Sequence, residues 1–176
     1  MRIGKDKWEA CEDRMRAARS SCAATLVHGA GGASIVVVGG SELEDECPAE
    51  RLLLGGHGGW QECKVRAPHR YDHSIACANT DVFVVGGRSP FDAESGSFVF
   101  DEDGVEASYT ATDLAPFPSP RAVTVRDGAG HQAVWVFGHE DCAPNVRIYR
   151  RGACETLRVP EFTRGSAVVF VPRAPP

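Results

Sequence analysis

An arginine recurs at an interval of 51 residues, at Arg19, Arg70 and Arg121, and each copy opens the same succession of short pieces. A small and apolar run follows it, then a turn, a Val-rich run and a glycine. The first unit reads Arg19-Ser-Ser-Cys-Ala-Ala-Thr-Leu-Val-His28, a glycine turn over 29–32, and Ser34-Ile-Val-Val-Val38-Gly39-Gly40. The second runs from Arg70 past His73 to Ala78, turns at 79–81, and continues Val82-Phe-Val-Val85-Gly86-Gly87. The third is Arg121-Ala-Val-Thr-Val125, a turn around Asp127 and Gly128, and Gln132-Ala-Val-Trp-Val-Phe137-Gly138-His139. A fourth start, Arg164-Gly-Ser-Ala-Val-Val-Phe-Val171, follows Arg121 by 43 residues. A period of this size marks a supersecondary unit that buries its apolar faces only by stacking on its neighbours.

Two β-branched runs joined by a short Gly, Asn or Asp turn predict a β-hairpin. Each unit then repeats the arrangement. Arg51-Leu-Leu-Leu54 precedes Trp60-Gln-Glu-Cys-Lys-Val65, Phe98-Val-Phe100 precedes a run over 105–112, and Val146-Arg-Ile-Tyr149 precedes a run over 153–159. Four short strands per unit give an all-β chain. The expected organisation is one domain over 1–176, with full units at 19–69, 70–120 and 121–163 and partial ones at 1–18 and 164–176.

The pattern resembles the kelch repeat. The resemblance rests on Gly39-Gly40 and Gly86-Gly87, on Trp60 ten residues before Arg70 and Trp8 eleven before Arg19, and on the entries Met15-x-x-x-Arg19 and Arg70-Tyr-Asp-His73-Ser74. It departs at Gly138-His139, which replaces a third Gly-Gly, and at Leu53, where the family carries a Tyr. The units opened by Arg70 and Arg121 also lack the fourth-strand Trp. The resemblance implies a kelch-like β-propeller or open arc of three to four four-stranded blades, shorter than a full ring of roughly 4–8. Under it Trp8, Arg19, Gly39, Gly40, Trp60, Arg70, His73, Gly86, Gly87, Arg121, Gly138 and Arg164 are structural repeat positions. The two tryptophans would fill the gaps between blades, and the arginines would bond to backbone carbonyls or loop carboxylates.

The implied function is recognition of a protein partner through blade loops, without catalysis. Kelch domains serve as the substrate-recognition part of ubiquitin ligase adaptors, and short kelch proteins occur in large DNA viruses. This chain has no room for the BTB and BACK domains that accompany adaptors. An open arc would complete itself as a homodimer. The competing readings are a propeller enzyme or sugar-binding protein, and a decayed remnant without activity of its own.

Composition narrows the field. Lys+Arg 19 against Asp+Glu 24 gives a net charge of −5, against a dedicated nucleic-acid binder. The apolar runs are far shorter than the roughly 20 residues that cross a bilayer, and the expected partners include no membrane. Seven scattered cysteines with no secretory leader fit reduced thiols in the cytoplasm or nucleus. No Cys-x-x-Cys occurs, and the spacing of Cys47, His57, Cys63 and His69 does not match a structural zinc site, so no metal or cofactor is expected. Gly55-Gly-His-Gly-Gly59 lacks the Lys-Ser/Thr of a phosphate loop and reads as a hairpin turn. The charged features that remain are two acidic stretches: Glu42, Glu44, Asp45 and Glu46, and Asp101, Glu102 and Asp103. They keep the surface solvated or steer a basic partner.

Overall fold

The computed structural model describes residues 2–4, 7–9, 13–40, 46–55, 59–68, 70–88, 97–101, 119–140, 143–150 and 153–158. The described residues contain no helix; their regular structure is all β. A short hairpin pairs β1 (Arg2–Gly4) with β2 (Lys7–Glu9). The first large sheet holds β3 (Ala23–Gly29), β4 (Gly32–Val38), β5 (Glu46–Leu53) and β6 (Trp60–Pro68). The second holds β7 (Ser74–Ala78), β8 (Asp81–Val85) and β9 (Phe98–Phe100). The third holds β10 (Arg121–Arg126), β11 (Gln132–Glu140), β12 (Ala143–Arg150) and β13 (Ala153–Arg158). Each sheet is antiparallel with strands in sequence order, and none closes on itself. The run over 105–112 and the segment containing Arg164 lie outside the described residues.

Local chemistry sets the hairpins. Between β7 and β8 the turn is only Asn79-Thr80, and Asn79 takes a φ of 58°, a conformation its short polar side chain tolerates. Between β10 and β11 the Asp127 carboxylate accepts the backbone N–H groups of Ala129 and His131, both at 2.9 Å, which closes the loop locally. Gly32, with a φ of 110°, leads out of the β3–β4 turn.

The sheets stack face to face because their Val-rich strands alternate. Val27, Val36, Val38, Ala49 and Val65 of the first sheet pack against Ile75, Cys77, Val82, Val84 and Phe100 of the second. The opposite face of the second, Ala76, Ala78, Phe83, Val85 and Val99, packs against Val134, Val136 and Tyr149 of the third. Strand β8 is therefore apolar on both sides, with even residues serving one junction and odd residues the other. Each fully buried Val contributes about 1.5–3 kcal/mol. Strands β3, β7 and β10 lie side by side. The Thr124 hydroxyl donates to the Cys77 carbonyl at 2.6 Å, and the Ala122 N–H donates to Ser74 Oγ at 2.8 Å.

Trp60 lies on the outer face of the first sheet. It pairs with Leu52, which pairs with Ile35, and directly opposed residues share a face. That face is the one turned away from the second sheet, so Trp60 does not fill the gap between the first two sheets. Cys63 and Val65 of the same strand face that junction instead.

Candidate functional site

The strand directions give the stack two unlike ends. At one end lie the tight turns of β3–β4, β7–β8 and β10–β11. At the other, β4 and β8 finish in Gly39-Gly40 and Gly86-Gly87, and β5 and β9 begin. All four glycines adopt positive φ, between 59° and 94°. Two are crowded by backbone as well: a Cβ on Gly40 would stand 2.1 Å from the Ser20 carbonyl oxygen, and one on Gly87 would stand 2.8 Å from that of Tyr71. The chain turns sharply here while another backbone passes against it, which only glycine permits.

Around these turns the repeated arginines are buried. Arg19 donates through Nη1 to the Gly39 carbonyl at 3.0 Å and through Nη2 to the Pro48 carbonyl and to Glu50 Oε1, the latter at 2.9 Å. Neither the Arg19 nor the Glu50 side chain is exposed. Glu50 also accepts the backbone N–H groups of Arg16 at 2.7 Å and Ala17 at 3.2 Å, so one carboxylate holds the whole 16–19 segment against the first sheet. Arg70, 1% exposed, repeats the arrangement one unit later. Its Nη1 donates to the Gly86 carbonyl at 3.1 Å, and its guanidinium lies 5.0 Å from the centre of the Phe98 ring. Burial pulls the Arg70 pKa down to about 10, which still leaves it charged at neutral pH.

His73 joins the two units. Its Nε2–H donates to the Val38 carbonyl at 3.1 Å, and its ring occupies the space a Cβ on Gly39 would need. Nδ1 is buried with no hydrogen-bond partner among the described residues. Burial, the Val38 hydrogen bond acting the other way, and the nearby Arg70 charge together lower the His73 pKa to about 4. A group whose folded pKa lies below its unfolded value of about 6.5 binds fewer protons when folded, so stability falls as pH drops between the two. The expected loss between pH 7 and pH 5 is about 2 kcal/mol, read as a falling urea midpoint. In His73→Gln that component should vanish; an unchanged pH slope would exclude His73 as its source.

The third unit lacks these features. Arg121 is exposed and, among the described residues, donates to the Pro120 carbonyl at 3.1 Å. Gly138 stays in β11, paired with Asn145, so the strand runs on where the other units turn. Trp8 lies in β2, opposite Ile3.

Of the two acidic stretches, the described members Glu46 and Asp101 stand at opposite ends. Residues 42–45 connect β4 to β5 at the Gly-Gly end, and Glu46 opens β5 there. Asp101 follows β9, whose Phe100 pairs with Val82, and so stands beside the β7–β8 turn. Glu42, Glu44, Asp45, Glu102 and Asp103 themselves lie outside the described residues. Sequence spacing alone did not separate the two groups, but strand direction does.

As chemistry, the buried set is turned inward. Its cations bond to carbonyls and a carboxylate, and it holds no nucleophile paired with a base. Burial pushes the Cys63 thiol up, away from the reactive thiolate. Among the described residues no three His, Cys, Asp or Glu side chains gather as for a metal ion. His57 and His69 lie outside them. The set fixes where the strand connections leave the sheets. A search against protein-family models finds no match for this chain, and a search of curated proteins finds none.

Proposed function

We propose that this chain is a kelch-like recognition module that binds a basic protein partner through the strand connections at its Gly-Gly end. The three sheets are read as consecutive blades of a propeller or open arc, with 1–18 and 164–176 as parts of a fourth. In support, strand order is sequential in every sheet, β3, β7 and β10 neighbour one another as inner strands, and the Gly-Gly pairs recur at equivalent strand ends.

The observation that carries the reading is the contrast between the two ends. The connections 41–45 and 89–96 leave from the Gly-Gly end, over an interlocked buried framework of Arg19, Glu50, Arg70 and His73. At the other end the β7–β8 connection has two residues between its strands and the β5–β6 connection six, against twelve between β8 and β9. Binding residues concentrate on longer loops carried by a rigid scaffold. The β4–β5, β8–β9 and β11–β12 connections carry acids: Glu42, Glu44 and Asp45; Asp92 and Glu94; Asp141. Concentrated charge of one sign speeds encounter with a partner of the other sign.

The test is capture of basic proteins by the immobilised chain from cytoplasmic and nuclear extracts. A Glu42→Lys, Glu44→Lys, Asp45→Lys variant should bind its captured partner at least about tenfold more weakly, with a smaller salt dependence. An Asp101→Lys variant, changed at the far end, should bind as the parent does. Equal binding by all three proteins would refute the reading.

A further inference from the structure

Tyr149 carries a hydroxyl that the packing of the sheets does not use. The residue is 5% exposed, and its Oη has no hydrogen-bond partner at normal geometry among the described residues. The register shows what surrounds it. Val134 pairs with Tyr149 and Tyr149 with Cys154; two residues along, Val136 pairs with Arg147 and Arg147 with Thr156. Directly opposed residues share a face, here the one packed on the second sheet, where the Phe83 ring centre lies 6.1 Å from that of Tyr149. Arg147 is 7% exposed, whereas Cys154, on the edge strand β13, is open to solvent. The hydroxyl thus stands between a buried guanidinium and an exposed thiol, and both act on it. Burial and the Cys154 charge push the Tyr149 pKa up, while Arg147 pulls the other way.

We infer that Cys154 is a peroxide-reactive thiol whose oxidised form, a sulfenic acid, is held by the Tyr149 hydroxyl. A cysteine reacts as its thiolate, and a hydroxyl donor and a guanidinium nearby favour that form. The phenol keeps its proton at neutral pH, so its O–H is there to donate to sulfur. Acids do not cancel the arrangement. Glu155 lies on the opposite face, across from Ile148, and pairs with Arg150 at 3.7 Å. Asp81 opens β8 and Asp101 follows β9 at this end of the second sheet, but neither is among the groups that act on Tyr149. Cys63 is the contrast within the chain, since burial pushes its thiol up.

The oxidant is a hydroperoxide. The Cys154 thiolate attacks one peroxide oxygen; the S–O bond forms, the O–O bond breaks, and the leaving oxygen takes a proton from solvent to depart as water or an alcohol. Sulfur gives up two electrons and the peroxide is reduced by two. The new oxygen sits on an exposed sulfur directly opposite Tyr149 and accepts its O–H. This site lies beside the β12–β13 turn, away from the Gly-Gly end, and does not depend on the recognition reading.

Hydrogen peroxide treatment at pH 7 with dimedone trapping, read by peptide mass spectrometry, compares the thiols within one protein. Cys154 should be trapped at least about tenfold faster than Cys22, which is also exposed. Tyr149→Phe keeps the ring and removes a hydroxyl that closes no hydrogen bond, so its far-UV circular dichroism spectrum should match the parent's. It should slow trapping at Cys154 at least about fivefold and leave Cys22 unchanged. Chloroacetamide alkylation from pH 6 to pH 9 should place the Cys154 pKa below the roughly 8.5 of an ordinary cysteine, and Tyr149→Phe should raise it. Trapping at Cys154 no faster than at Cys22 overturns the inference. So does a Cys154 rate or alkylation pKa that Tyr149→Phe leaves unchanged.

Discussion

Replacing Glu50 with Ala should cost about 4–5 kcal/mol, measured as the loss of unfolding free energy in urea. The reason is that Glu50 serves four donors at once. It accepts Arg19 Nε at 3.2 Å and Nη2 at 2.9 Å, together with the Arg16 and Ala17 N–H groups. Removing it leaves a guanidinium with no accessible surface and no carboxylate, and such broken buried pairs cost about 3–5 kcal/mol. The two orphaned backbone donors push the effect to the upper part of that range. Arg19→Ala should cost less, about 3 kcal/mol, because the carboxylate keeps its backbone donors. The double variant Arg19→Met, Glu50→Leu separates the parts. A simple ion pair exchanged for apolar groups is often neutral, but here the 16–19 segment would still lose its anchor, so about 2 kcal/mol should remain. Total stabilities of single domains are about 5–15 kcal/mol, and the single Glu50 variant should be partly unfolded at 37 °C.

Gly40→Ala should be nearly as damaging, at about 3–4 kcal/mol. A left-handed φ of 68° costs a non-glycine residue about 1–2 kcal/mol. The new methyl would also stand 2.1 Å from the Ser20 carbonyl oxygen and 2.6 Å from the Cys22 backbone nitrogen. Backbone cannot rotate away as a side chain does, so the entry of β3 must shift, an overpacking penalty of about 1–3 kcal/mol. Gly55→Ala is the matched comparison. Gly55 has a φ of 80° and open space around its Cβ position, so it should show only the conformational part, about 1 kcal/mol. Equal losses at the two glycines would mean that the close approach of the 20–22 segment contributes nothing.

Much of the secondary structure was legible because local signals agree with their surroundings. The Val-rich runs at 35–38 and 82–85 are strands, and the Asn79 and Asp127 turns fold back where their side chains predict. The all-β class follows from them. Other features required three dimensions. Trp60 carries a spacing signal, but its face is decided by the register of β5 against β6, which shifts between Pro48 and Glu50. Arg121 sits at the repeat interval yet lacks the burial of Arg19 and Arg70, because β11 continues through Gly138 and no left-handed turn forms there for it to bridge. In the sequence Glu50 is one more acid in a polar stretch. Its role depends on the 16–19 segment crossing the sheet more than 30 residues away in sequence, which no local pattern reports. The two acidic stretches likewise look equivalent until the directions of β5 and β9 set Glu46 and Asp101 at opposite ends.

The most direct test of the recognition account is cross-linking mass spectrometry of the chain bound to a captured basic partner. Contacts should map to residues 41–45 and 89–96 and to the β11–β12 connection, all at the Gly-Gly end. Contacts confined to the opposite end, at the β3–β4, β7–β8 and β10–β11 turns, would contradict it.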